Sequence, residues 1–148
     1  MSSASRLVFD TSTLVGAVLR PRSIPALALA AAWEVADVIV SAETLTELRQ
    51  VLLRDRLDAY REPSQRLAFY EHYQSMTRLV ESVHLVAACR DPQDDKFLSL
   101  ALSGGAQVIV SSDDDLLSMG VFQGVHILTP RQFLESASTG RALGDERV

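Results

Sequence analysis

Short apolar runs ending at a polar or charged residue recur along the chain, at residues 6–10, 38–40, 83–87, 108–110 and 126–128. Each is continuous rather than alternating, the pattern of strands buried on both faces of a parallel sheet. Between them the apolar spacing turns helical, over residues 25–36, 43–54, 63–78 and 92–102, and a last helix opens with Thr129 as N-cap and Pro130 at its first position. Strand and helix alternate, which predicts an α/β fold: a mostly parallel sheet of about five strands, right-handed crossovers and helices on both faces. There is no internal repeat and no linker. After Glu135 the residues become small and polar, so the expected organisation is one domain over residues 1–135 and a C-terminal tail over residues 136–148.

The chain has 148 residues, is 47% hydrophobic and carries a formal charge of -5, which suits one self-sufficient core. A single cysteine, Cys89, rules out an internal disulfide, and three scattered histidines beside it make no zinc site. The longest apolar stretch, from Ile24 to Trp33, falls short of the ~20 residues of a membrane span. Asp10 arrives too early for a signal peptide, so a cytoplasmic protein is expected. The acidic balance argues against sequence-blind adhesion to nucleic acid, which depends on many cations at phosphates. Any such activity must reside in a local site. Thirteen of the 14 basic residues are arginine, and Lys96 is the only lysine.

In an open parallel sheet ligands bind beyond the carboxyl ends of the strands. The polar residues there are nearly all acids: Asp10 after the first strand, Glu43 and Glu47 after the second, Asp91, Asp94 and Asp95 before the helix leading to the fourth, and Asp113 to Asp115 after the fourth. Asp91 before Pro92 suits an N-cap, and Asp94 then falls where an acid favours the helix dipole. Plotted at about 100° per residue, Asp95 borders the Phe97, Leu98, Ala101 and Leu102 stripe and has no capping role. Glu47 flanks the stripe of Leu45, Leu48, Val51 and Leu52 in a helix that Ser41 can cap; the alternative is a capping box between Thr44 and Glu47. The acids at 113–115 are either a solvated turn or part of the site. Asp10 has no cheap structural reason to abut Leu7-Val8-Phe9. If Asp10, Glu47, Asp95 and Asp113 converge, each pair at ~4 Å costs about 4 kcal/mol at an effective dielectric near 20. Shared protons or a divalent cation must offset this. Oxygen-only ligands select Mg²⁺ or Mn²⁺, and such ions characteristically serve phosphodiester hydrolysis.

Four blocks, Val8-Phe9-Asp10-Thr11-Ser12, Ser41-Ala42-Glu43-Thr44-Leu45-Thr46-Glu47-Leu48, Arg90-Asp91-Pro92-Gln93-Asp94-Asp95-Lys96-Phe97 and Val110-Ser111-Ser112-Asp113-Asp114-Asp115-Leu116-Leu117, together resemble the PIN-domain nucleases. The resemblance spans residues 6–135 and is nearest to the branch that supplies toxins of bacterial toxin–antitoxin pairs. It implies a three-layer α/β/α sandwich and an endoribonuclease using one or two Mg²⁺ or Mn²⁺ ions. RNA and an antitoxin would be its partners, and a homodimer is an allowed assembly. Carried over by position, the catalytic and metal-binding acids are Asp10, Glu47, Asp95 and Asp113, with Asp115 as an accessory ligand. Asp94, next to Asp95, is the other candidate for the third acid. Ser12 stands where the family often has asparagine and Ser111 where threonine is common; both are expected on the substrate side. Arg20 and Arg22 are expected to guide RNA, with Arg49, Arg54 and Arg56 as further candidates. Two alternatives remain: a catalytically inactive module of the same fold, and a haloacid-dehalogenase-type phosphatase. The latter needs an aspartate where this chain has Ser12.

Overall fold

The computed structural model describes residues 5–138. Strands β1 (Ser5–Phe9), β2 (Ala36–Val40), β3 (Arg78–Leu79), β4 (Val108–Val110), β5 (Val121–Phe122) and β6 (Val125–Leu128) form one sheet in the order β3-β2-β1-β4-β6-β5. All pairings are parallel except the β5–β6 hairpin; β1, β2, β4 and β6 are four of the five strands expected, and β3 and β5 are additional. Helices α1 (Thr11–Leu19), α2 (Ile24–Val35), α3 (Ala42–Leu52), α4 (Pro63–Met76) and α7 (Pro130–Ser138) lie with one face, while α5 (Asp95–Gly104) and α6 (Asp114–Leu117) cover the other. Alternate strand residues divide the core. Leu7, Phe9, Val38, Val40, Val108 and Val110 point to the first layer, and Val8, Ile39 and Ile109 to the second. Burial on both faces is why the strands read as unbroken apolar runs. Ser136 to Ser138 belong to α7, and the rest of the expected tail lies outside the described residues. No single described helix is long and apolar enough to cross a membrane.

Helix α1 escapes the periodic reading because Thr11, Thr13, Val15, Gly16 and Val18 are poor helix formers. It forms because Asp10 caps it, Oδ1 accepting from the Thr13 amide at 2.9 Å. Ser41 caps α3 with Thr44 as its reciprocal partner, so the Ser41 cap forms and the alternative box between Thr44 and Glu47 does not, Glu47 being engaged by Thr11 and Lys96 instead. Arg66 of α4 is fully buried and donates to the carbonyls of Leu52, Arg54 and Arg61 while pairing with Asp58. It thereby ties off the C-terminus of α3. Gly104 closes α5 against β2, where a Cβ would come within 2.5 Å of Ile39 Cδ1, and Gly105 follows in the left-handed region at φ 72°.

The strand expected at 83–87 pairs with no strand; the ladder on that side is β3. The segment instead runs along α5. The amides of His84 and Val86 donate to Ser103 Oγ and Ser99 Oγ, and those of Ala88 and Cys89 to Asp95 Oδ1. Two extended residues rise ~6.6 Å and four helical residues ~6.0 Å, so a row of acceptors at helical spacing of four matches every second amide. A strand-like pattern is thus satisfied by helix side chains.

Candidate active site

The central strands β1 and β4 lead to opposite sides of the sheet, so the crevice expected of such folds opens beyond their carboxyl ends. A cleft of about 350 Å³ lies there, lined by Asp10, Ser12, Glu47, Asp94 and Asp113 together with Arg54 and Arg56. Asp10 is 2% exposed. Ser111 Oγ donates to its Oδ2 at 2.5 Å, and the Ser12 hydroxyl stands 3.4 Å from both carboxylate oxygens. Burial raises the Asp10 carboxyl above its ordinary value, against the opposing pull of hydrogen bonds from Ser111 and Thr13. Asp113 caps α6 by accepting from the Asp115 amide at 2.7 Å, and its own amide donates to Ser111 Oγ at 2.9 Å. One serine hydroxyl therefore fixes two of the acids. Glu47, half-buried on α3, accepts from the Thr11 hydroxyl at 2.5 Å and from Lys96 Nζ at 2.9 Å.

The two neighbouring aspartates of the third block face different ways. Pro92 to Asp94 form a turn of 3-10 helix capped by Asp91, and α5 begins only at Asp95. A 3-10 turn advances ~120° per residue, so a wheel drawn at 100° from Pro92 misplaces both side chains. Asp94 is 7% exposed in the cleft, and its Oδ2 has no hydrogen-bond partner. Desolvation pushes its carboxyl up to about 7, helped by the charge of Asp113, by a hydrogen bond between the Asp94 and Asp113 carboxyls, and by the charges of Asp91 and Asp10. Asp95 turns to the segment along α5, where the amides of Cys89 and Ala88 hold its carboxyl below the ordinary value. Asp95 is therefore absent from the cleft's walls and Asp94 stands in its place. Asp94 does stand third in the turn that Asp91 caps, as expected, and its carboxyl lines the cleft as well.

Other expected residues separate in the same way. Ser111 is fully buried, so its hydroxyl orients Asp10 and cannot meet a substrate. Arg20 and Arg22 sit at the far end of α1, ~13 Å along the helix from Asp10. The cleft's arginines are Arg54 and Arg56. Asp115 pairs with Arg90, Nε to Oδ1 at 2.7 Å, yet it, Asp91 and Asp94 place carboxylate oxygens within 4.8 Å of one another. Thr11 and Lys96 were missed. The signal for Lys96 was present, a lone lysine inside the third acidic block.

The sequence profile of the PIN domain matches residues 6–115. The chain belongs to the PIN-domain family. An uncharacterized protein of Methanocaldococcus jannaschii is 26% identical over 140 residues, covering 88% of this chain and 90% of that protein. Among solved structures, VapBC2 from Rickettsia felis bound to a promoter DNA fragment superposes with a TM-score of 0.59 at 11% identity, covering 84% of this chain and 98% of that one. Mycobacterium tuberculosis VapC20, described as a sarcin-ricin loop cleaving toxin, gives 0.53 at 14% identity, covering 81% and 98%. At these identities the likeness is one of fold. The match includes the acids of all four blocks of this PIN domain, and the sheet supplies the mostly parallel scaffold that brings one acid from each to the cleft.

The donor set also suits a hard divalent cation. The cleft offers carboxylate and hydroxyl oxygens without a histidine or cysteine, and a buried carboxylate oxygen that lacks any donor is a position a cation would satisfy.

Proposed function

We propose that this PIN domain is a divalent-metal-dependent endoribonuclease and the toxin of a toxin–antitoxin pair. The observation that carries the reading is Asp94 Oδ2, buried without a donor in the wall of a cleft whose other acids are Asp10, Glu47 and Asp113. Asp94, Asp10 and Asp113, which line one cleft, would hold Mg²⁺ or Mn²⁺, and Asp91 and Asp115 bring further carboxylate oxygens within 4.8 Å of that of Asp94. When bound, such an ion lowers the pKa of its water and stabilises the leaving oxygen. Ser111 and the Thr13 amide keep Asp10 pointed into the cleft, and the α6 cap does the same for Asp113. Glu47 is locked by Thr11 and Lys96, but each carboxylate oxygen keeps a second lone pair with which it can orient an attacking water. Arg54 and Arg56 give the wall a positive rim for the phosphate backbone.

The preference for RNA and for an antitoxin partner is supported by the shared fold of VapC20 and VapBC2. Family membership leaves the phosphatase alternative without support. Incubating the purified chain with cellular RNA should give cleavage with Mg²⁺ or Mn²⁺ and none with EDTA. Metal binding without any cleavage, under conditions where RNA is bound, would instead establish an inactive binding module. Growth arrest on expression, relieved by a co-expressed neighbouring-gene product, is the expected sign of a toxin.

A further inference from the structure

Four carboxylates line one cleft, and they are neutralised in unequal ways. Asp94 Oδ2 has no donor, while both oxygens of Glu47 are already engaged, Oε1 by the Thr11 hydroxyl at 2.5 Å and Oε2 by Lys96 Nζ at 2.9 Å. Lys96 is 9% exposed and is anchored a second time on the Gln93 carbonyl at 2.6 Å, with its Nζ 5.5 Å from the Phe97 ring centroid. These donors come from the first residue of α1 and the second residue of α5, so the clamp is built from two rigid elements. Gln93 and Lys96 also form one side of a neighbouring cavity of about 430 Å³, whose other walls include Glu43, Thr46 and Gln50 of α3. Glu47 lines that cavity too, so the Glu47–Lys96 pair stands where the two recesses meet.

A divalent ion in contact with a carboxylate needs an oxygen at ~2.0–2.2 Å, and an ammonium seated on that oxygen competes for the same electron pairs and adds repulsion. Lysine suits this post because it is a compact point charge whose donors can reach a carboxylate and a carbonyl together. We propose that Lys96 is the resident cation of the Glu47 side of the site, a positioning residue that holds Glu47 out of the coordination sphere. Divalent ions then load on the Asp94 side alone. The inference rests on the metal-dependent reading above and adds which acid is not a ligand and why.

The test is to count Mn²⁺ bound per chain by isothermal titration calorimetry, with the free-ion electron paramagnetic resonance signal as a second count and circular dichroism to check folding. Asp94→Asn should weaken binding by about 30-fold or more, and Glu47→Gln by less than about threefold, the residual effect of a nearby charge. Lys96→Met should bind one more Mn²⁺ per chain than wild type, because Glu47 is released, and Lys96→Arg should restore the wild-type count. An unchanged count in folded Lys96→Met overturns the proposal. So does a Glu47→Gln loss as large as that of Asp94→Asn, which decides the matter even if the methionine variant fails to fold. Wild-type protein that binds no Mn²⁺ at all would overturn the metal-dependent reading itself, a result distinct from either.

Discussion

Asp94→Asn and Asp95→Asn change the same atom in adjacent residues, and they should move stability in opposite directions. In the folded chain Asp94 ionises at about 7 instead of 3.8. A shift of about 3 pH units at ~1.4 kcal/mol each sets a ceiling of ~4 kcal/mol on the strain of the ionised form. Asp113 and Asp10 share the relief, and a buried amide still needs partners, so the expected gain for Asp94→Asn is about 1–2 kcal/mol without metal. For a chain of this length that is a melting point ~2–8 °C higher. The sign with pH follows from linkage. A raised folded pKa favours the native state below the ordinary carboxyl value, and this contribution is lost as pH rises through about 4 to 7. The gain should therefore be largest at pH 8 and vanish near pH 4. Asp95 accepts from two amides at the start of α5, and removing its charge should cost ~1–2 kcal/mol at neutral pH. Its lowered pKa contributes stability above the ordinary carboxyl value, lost as the solution is acidified through that range. Differential scanning calorimetry in EDTA at pH 4 and 8 measures both. A metal-free Asp94→Asn that melts below wild type at pH 8, or a gain equal at the two pH values, would refute the reasoning.

Ser111→Ala removes the hydroxyl that serves both Asp10 and the Asp113 amide, and should cost about 1–3 kcal/mol while reducing cleavage strongly, as read by urea unfolding and RNA assay. Arg66→Met strands the carbonyls that end α3, so a loss of ~3–5 kcal/mol in urea unfolding is expected. Reversing Arg54 and Arg56 to glutamate should weaken RNA binding and flatten its dependence on salt, whereas the same change at Arg20 and Arg22 should leave the slope of a filter-binding titration in place.

Strands β1, β2 and β4 and most helices were legible because these central strands are buried on both faces and their runs of apolar residues have no competing explanation, whereas the exposed two-residue strands β3 and β5 left no such run. Asp10, Glu47 and Asp113 were legible as acids at the carboxyl edge of that sheet, and all three line the cleft. Three things were not. Helix α1 depends on its Asp10 cap and on burial rather than on helix-forming residues, so periodicity is a weak guide to it. The segment at 83–87 has strand character but lies on α5, because serine and aspartate acceptors replace a ladder. The choice between Asp94 and Asp95 turned on whether Pro92 opened an α-helix or a 3-10 turn, a difference of ~20° per residue that no pattern of apolar positions over one turn resolves. Arg66 shows the same limit: an arginine in a helix reads as solvated, and only the carbonyl ends of α3 and the following turn make its burial favourable.

Initial rates of RNA cleavage by wild type, Asp94→Asn and Asp95→Asn, measured side by side over a Mn²⁺ titration, bear most directly on the central claim that the Asp10–Asp94–Asp113 cleft is a metal-dependent nuclease centre. The account predicts metal-dependent cleavage by wild type, retention of most of that rate in folded Asp95→Asn, and a loss of at least about a hundredfold in Asp94→Asn that added Mn²⁺ does not restore, equivalent to ~2.7 kcal/mol. Full activity in Asp94→Asn, or the greater loss in Asp95→Asn, would contradict it.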